Sequence, residues 1–287
     1  MENHPVNGIV EADIRGFFDN VDQDHLMAFV AHRIGDQRIQ RYIRRFLRAG
    51  IQEDGVWRAS ERGTPQGGVI SPLLANLYLH YSLDLWYQRR YRVTCKGRSR
   101  IIRYADDFVV CFEREDDARR FREELEERLG QFGLEVAPEK TQVLAFGAKA
   151  QREAKARGEK LKTFDFLGFT HYASRSRDGK RFRLKRKAIG KRFTAKLKAY
   201  KMWLKQNRTL PTPEILRRTA AKLRGHYAYY GVTDNSRSIR AFAHETTRTL
   251  FKWLGRRGKR GSTSWEKFRR LLARYPLPVP RILVNLY

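Results

Sequence analysis

The stretch RYADDFVV (103–110) sets two adjacent carboxylates, Asp106 and Asp107, among apolar and β-branched residues. Like charges repel each other and resist burial, so the pair needs a turn, a partner cation or a chemical task. Two readings fit. One is a hairpin turn, where aspartate is common. The other is a divalent-metal site, because hard cations such as Mg²⁺ take carboxylate oxygens. A two-ion site requires a further carboxylate from elsewhere in the chain. Asp13, at the end of the run GIVEADI (8–14) and shortly before Phe17-Phe18, is the candidate. Three such carboxylates would support in-line phosphoryl transfer, in which one ion activates an attacking hydroxyl and the other stabilises a leaving pyrophosphate.

These residues need elements to hold them. GIVEADI alternates apolar and acidic residues and reads as a strand ending at Asp13. Residues 100–105 and 108–112 read as two strands with Asp106 and Asp107 at their tight connection. Helices are expected over 22–34, 36–49, 72–92 and 115–132. The last has Ala118, Phe121, Leu125, Leu129 and Phe132 at helical spacing. In the second, Ile39, Ile43, Phe46 and Leu47 are expected on one face, with arginines elsewhere. Residues 50–70, around RGTPQGG, read as a loop, and Pro72 suits the first turn of the helix after it. GLEVAPEKTQVLAF (133–146) and FDFLGF (164–169) read as further strands, and the polar stretch between them as a solvated excursion. After about residue 185 the pattern turns helical, over 187–206, 212–230, 236–257 and 263–274. The fold class expected is α+β, a sheet domain followed by an all-helical one.

Charge divides the chain in the same place. Its 287 residues carry a formal net charge of +29, from 60 Lys+Arg against 31 Asp+Glu. Residues 1–147 hold 22 basic and 23 acidic residues, whereas 148–287 hold 38 and 8. The excess therefore lies in the second half, which suits a densely anionic partner, nucleic acid before membrane. No run approaches the roughly 18 apolar residues of a membrane span. Cys95 and Cys111, the only cysteines, are too few for a disulfide framework or a paired-cysteine zinc site. A cytoplasmic protein without a membrane partner is expected.

The motifs also carry a family resemblance. VEADIRGFFDNVD, RGTPQGGVISPLLANLYLH, RYADDFVV, GLEVAPEKTQVLAF and FDFLGF occur in the order found in reverse transcriptases. They look most like the branch of group II intron-encoded reverse transcriptase/maturases. KLRGHYAYYGV and TSWEKFRRLLARYPLPVPRI resemble the thumb or maturase (X) region of that branch and the segment beyond it. The resemblance implies a polymerase palm over 1–186, an antiparallel sheet with packed helices that includes a primer-grip hairpin. It implies a helical basic thumb/maturase (X) region over 187–257 and a C-terminal basic helix and Pro-rich tail over 258–287.

It also implies residue roles. Asp13, Asp106 and Asp107 would bind two Mg²⁺ ions, with Mn²⁺ as a substitute. Phe18 would be a steric gate favouring dNTPs over ribonucleotides; the other reading is core packing. Gln66 and Gly67 would lie under the incoming nucleotide and template, where glycine allows close approach. Tyr104 would touch the primer terminus, and Phe166, Leu167 and Gly168 would form the primer grip. Lys140 would donate a proton near the leaving pyrophosphate, or be an ordinary turn lysine. In the second half, Lys185, Arg186, Lys187, Arg256 and Arg257 would hold RNA phosphates. Tyr227, Tyr229 and Tyr230 would either stack on bases or pack the helices.

The activity so implied is RNA-directed DNA polymerase, with RNA template, DNA primer and dNTPs as partners and a maturase role toward intron RNA. Only residues 1–12 precede Asp13, so the family's fingers region is expected to be absent here, supplied by a partner chain or compensated in a homodimer. The alternative reading is a non-catalytic RNA-binding maturase remnant, or half of a split enzyme, that assists splicing.

Overall fold

A computed structural model of the protein describes residues 5–53, 56–58, 62–64, 68–176, 178–256 and 264–286. The chain forms two compact units. One contains the chain up to Leu167 together with Ala173–Arg183; the other contains Gly168–Tyr172 and the chain from Leu184 onward.

The first unit is built on an antiparallel sheet. Strand β1 (Gly8–Ala12) leads into a short helical turn, α1 (Phe17–Asn20), and two helices, α2 (Gln23–Arg33) and α3 (Gln37–Arg48). The small ladder β2 (Ile51–Glu53) and β3 (Val56–Arg58) follows, then a long helical segment from Ser71 to Thr94. That segment begins as α4 (Ser71–Leu79), passes through two π-helical stretches, His80–Asp84 and Tyr87–Tyr91, and ends as α5 (Arg92–Thr94). Strands β4 (Ser99–Tyr104) and β5 (Asp107–Phe112), helix α6 (Glu115–Gly130), strand β6 (Gln142–Ala145) and helix α7 (Ala148–Ala156) complete the order. The sheet order is β4-β5-β1-β6, so β1 is central, antiparallel to β5 with Ala12 opposite Phe108 and to β6 with Glu11 opposite Gln142.

Side chains alternate across a strand. Val10, Ala12, Phe108, Val110 and Phe112 therefore face one core, which Ala118, Phe121, Leu125 and Leu129 of α6 and Tyr78, Leu79 and Leu83 of the long helical segment complete. Ile9, Glu11 and, by the same alternation, Asp13 belong to the opposite face.

Five sequence expectations change. Residues 50–70, read as a loop, contain the β2–β3 ladder, and FDFLGF is not one strand but a strand over Phe164–Phe166, a turn at Leu167-Gly168 and the first residue of the next strand. The stretch 133–146 is not one strand: β6 covers only its end, and an isolated bridge joins Val136 to Ile14. Pro138 has no N–H to give a ladder, and the Lys140 N–H closes a turn on Ala137. The polar excursion contains α7, which buries Ala150 and Ala154. Of the four apolar residues expected on one face of α3, Ile43 and Leu47 are buried but Ile39 and Phe46 are exposed.

Beyond α7, β7 (Phe164–Phe166), β8 (Phe169–Arg175) and β9 (Phe182–Ala188) form a three-stranded sheet in that order. Helices α8 (Gly190–Gln206), α9 (Thr212–Tyr230), α10 (Ser236–Gly255) and α11 (Trp265–Arg274) follow, close to their expected bounds. Their apolar faces form two clusters in the second unit, one around Tyr200, Leu204, Ile215 and Leu250, the other around Leu223, Tyr227, Tyr230 and Phe242. The final segment returns to the Tyr230–Thr233 corner, where Leu283 and Val284 donate to the Gly231 carbonyl. Among the described residues no helix is long and apolar enough to cross a membrane.

His226 lies within the second of these clusters at 5% exposure, stacked on Phe242 with ring centroids 3.7 Å apart. Neither ring nitrogen has a hydrogen-bond partner among the described residues. Burial, with Lys196 nearby, pushes its pKa down to about 4 from 6.5. The unfolded chain therefore binds the extra proton first as pH falls, so this contribution to stability is complete above pH 6.5 and is lost between 6.5 and about 4. Between pH 7 and 5 the loss is expected to be about 2 kcal/mol. Urea unfolding at the two pH values, compared with His226→Leu, should show that part of the slope vanish in the variant.

Candidate active site

The register of β1 on β5 places the acidic strand ends together. Ala12 pairs with Phe108, so the next residues along, Asp13 and Asp107, leave adjacent strands at the same edge of the sheet. Tyr104 pairs with Asp107, which leaves Ala105 and Asp106 as a two-residue hairpin loop. The sequence expectation of a tight connection holds, shifted so that Asp107 opens β5. Ala105 has φ +54°, a left-handed conformation that a residue with a Cβ adopts at a cost.

Arg103 supports this turn. Its guanidinium forks onto Asp84, with Nε–Oδ1 at 2.8 Å and Nη2–Oδ2 at 2.5 Å, and its Nη1 donates to Asn76 and to the Ala105 carbonyl. Bidentate pairing fixes the plane of the arginine as well as its position. Tyr104 stands 69% exposed beside the turn.

Asp13 is held by Lys140, whose Nζ lies 2.5 Å from Asp13 Oδ2. That hydrogen bond and the Asp13 charge raise the Lys140 pKa, with Glu139 and Asp106 adding to the effect. The turn closed on Ala137 carries the Lys140 ammonium to the carboxylate. Among the described residues, no three acidic, histidine or cysteine side chains gather closely enough to hold one ion.

Glu11 and its neighbours form a part of the site that sequence reasoning missed. Glu11 accepts a hydrogen bond from the Gln142 side chain at 2.5 Å and from the Asp165 backbone N–H at 3.1 Å. Two residues further along, the Leu167 N–H donates to Asp107 Oδ2 at 3.4 Å. Two carboxylates of the four-stranded sheet thereby hold β7 and the start of its turn. Burial raises the Glu11 pKa, and the carboxylates of Asp165 and Asp107 raise it further. The signal was present in the acidic alternation of VEAD, which puts Glu11 on the face of Asp13.

The turn itself uses Leu167 at φ +47° and Gly168 at φ +78°, the consecutive positive angles of a type I′ hairpin turn. Phe166 ends β7, partly buried. Within the second unit, a Cβ on Gly168 would meet Arg192 and Tyr230 at 3.2 and 3.3 Å, so the position is tight as well as left-handed. Phe18 packs on Phe17 and is partly exposed, and its carbonyl accepts the Thr64 N–H at 2.8 Å. Gly63, at φ +78°, lies so close that a Cβ would come within 2.5 Å of that carbonyl. This anchors the chain just before Gln66 and Gly67, which lie outside the described residues.

In the second unit, strand alternation divides the basic run. Lys185 and Lys187 share one face of β9 and Arg186 takes the other, so the three do not form a single patch. Lys187 lies over the Tyr172 ring. Arg256 lies over the Trp253 ring at the end of α10, and Arg257 is outside the described residues. Tyr227 and Tyr230 are buried and pack the helices, whereas Tyr229 is 49% exposed and stacks on Phe169 with Lys196 5.9 Å away.

Comparison with known proteins finds two family matches. A family model described as reverse transcriptase (RNA-dependent DNA polymerase) matches residues 1–171, and one described as group II intron, maturase-specific domain, matches residues 190–271. Group II intron-encoded protein LtrA of Lactococcus lactis subsp. cremoris is 46% identical over 71 residues, 25% of this chain and 12% of that protein. Protein YkfC of Escherichia coli (strain K12) is 35% identical over 36% of this chain and 33% of its own length. The chain thus spans a third or less of these relatives. Among solved structures, apo telomerase from Candida Tropicalis aligns over 94% of this chain and 48% of its own at 14% identity, with a TM-score of 0.49.

Two substitutions test the geometry without reference to activity. Ala105→Gly should stabilise the first unit by about 1 kcal/mol and Ala105→Val should destabilise it by more, read by equilibrium unfolding. Glu11→Ala should speed amide hydrogen exchange over 164–167, whereas Glu11→Gln, which keeps an acceptor for the Asp165 N–H, should leave it near the wild-type rate.

Proposed function

Because the chain belongs to the reverse transcriptase (RNA-dependent DNA polymerase) family and carries a group II intron maturase-specific domain, we propose that it is an RNA-directed DNA polymerase of the group II intron type. In this reading it extends a DNA primer with dNTPs on an RNA template in the cytoplasm, and its basic helical half holds intron RNA in a maturase role. Residues 1–186 serve as palm, 187–257 as thumb and maturase (X) region, and 258–287 as a basic tail.

The observation that carries the proposal is the β1–β5 register, which brings the Asp13 and Asp107 ends of two paired strands to one edge beside the Ala105-Asp106 turn. Asp13, Asp106 and Asp107 would hold two Mg²⁺ ions, or Mn²⁺ in their place. Their donors are all oxygen, the type that Mg²⁺ takes, although they are not gathered around one point in this structure. When bound, the ions would activate the primer hydroxyl and offset charge on the leaving pyrophosphate.

The protein groups do the positioning. Lys140 brings a protonated ammonium to the edge where that pyrophosphate departs. Phe18 narrows the space beside the sugar, and Tyr104 projects from the turn toward the primer terminus. Phe166, Leu167 and Gly168 seat the primer strand, with Glu11 and Asp107 holding the β7 side of that turn. Lys185, Arg186, Lys187, Arg256 and Arg257 take up RNA phosphates.

A second reading, the non-catalytic maturase remnant or split half, draws support from the Lys140–Asp13 contact, which closes one carboxylate with a protein cation. Primer extension on an RNA template with Mg²⁺ and dNTPs separates the two. The wild type should extend and an Asp106→Ala/Asp107→Ala double variant should not. RNA binding should survive in both. Asp13→Ala should weaken Mn²⁺ binding as much as Asp106→Ala does; equal affinity in all three proteins would sink the shared site.

A further inference from the structure

Helix α3 has the sequence QRIQRYIRRFLR, with five arginines and no acidic residue. The rest of residues 1–147 holds 17 basic and 23 acidic residues, so this helix is a local island of positive charge. Arg38, Arg41, Arg44, Arg45 and Arg48 are all exposed, and among the described residues none makes an ion pair. Like charges three and four positions apart on a helix destabilise it, so the bare face works against its own element.

The apolar residues of α3 add a second observation. Ile43 and Leu47 suffice to dock the helix. Ile39, Tyr42 and Phe46 remain 46%, 60% and 56% exposed. At about 100° per residue they form one strip beside the docked edge. Arg38 and Arg45 border that strip directly, and Arg41 comes next around the helix. Exposed aromatic rings beside unpaired guanidinium groups are the components of a surface for single-stranded nucleic acid. The rings stack on unpaired bases whatever their identity, and the guanidinium forks take the phosphates.

We propose that the α3 face is a binding site for single-stranded nucleic acid, separate from the basic residues of the second unit. Tyr42 and Phe46 act as the stacking platform, and Arg38, Arg41 and Arg45 as the phosphate contacts. A helix of this length, about 18 Å, spans a few nucleotides. The charge selects this occupant over a protein partner: five unopposed cations call for a polyanion, and the apolar strip alone would not require them. The proposal rests on the nucleic-acid-binding part of the function proposed above and not on its chemistry.

The test measures binding of fluorescein-labelled unstructured RNA and DNA oligonucleotides to the full chain by anisotropy, across a salt series. Arg38→Gln/Arg41→Gln/Arg45→Gln should weaken binding more than tenfold and lower the salt slope by about two to three. Tyr42→Ala/Phe46→Ala should weaken it severalfold with the slope unchanged. All five positions are exposed, and circular dichroism checks that the variants fold. The RNA and DNA arms identify which strand the face prefers. Unchanged affinity and slope in both variants would overturn the proposal, as would a change confined to oligomeric state in the Tyr42/Phe46 variant, which would make the strip a protein contact. A wild type that binds neither oligonucleotide would remove the wider nucleic-acid reading instead.

Discussion

The pairing of β1 with β5 is the constraint on which the first unit depends. Side-chain direction in a strand has period two, so a slip of one residue would turn every side chain to the other face. Val10, Ala12, Phe108 and Val110 would leave the core, and Glu11 would enter it. The core therefore enforces the register, and the register sets where Asp13 and Asp107 emerge. Stability and site geometry are two results of one set of contacts.

The opposite face of that sheet carries an electrostatic load. Asp13, Asp106, Asp107, Glu11 and Asp165 lie in one region, and the protein compensates each contact differently. Lys140 answers Asp13 with a full charge. Among the described residues Glu11 is answered by neutral donors, the Gln142 amide and a backbone N–H, and burial raises its pKa. Asp107 takes a backbone N–H from the β7 turn. Neutral donors orient a carboxylate without cancelling its charge, so the face keeps an attraction for cations while its geometry is fixed.

Much of this was legible in the sequence because it rests on short-range patterns. The strand ending near Asp13, a tight connection at the paired aspartates (one residue later than the structure has it), the period of α6 and the four helices after residue 190 all follow from local alternation or helical spacing. What escaped depended on distant partners. The β8–β9 hairpin alternates weakly through polar residues, and only the Asp178-Gly179 turn marks it. Ile39 and Phe46 looked like core because a helical period says which residues share a face, and not whether a neighbour covers it. The roles of Glu11 and Arg103 needed partners 131 and 19 residues away in sequence. Lys140 was picked out by motif, but its contact with Asp13 spans 127 residues and no spacing rule foretells it.

The two π-helical stretches between His80 and Tyr91 bear on how the whole unit is aligned. In an unbroken α-helix, Tyr78 and Tyr91 would point about 140° apart. Wider turns bring the direction back, and Tyr78, Tyr87 and Tyr91 are all buried on the sheet side. Each hydroxyl then reaches a different element: Tyr78 bonds the Phe132 carbonyl past the end of α6, Tyr87 bonds Ser99 at the start of β4, and Tyr91 bonds the Asp117 carbonyl in the first turn of α6. The rod works as a pegboard with three fixed pegs. The outer hairpin and the supporting helix are located against the same ruler, so the turn that bears the paired aspartates inherits its position from tyrosines at the far side of the sheet.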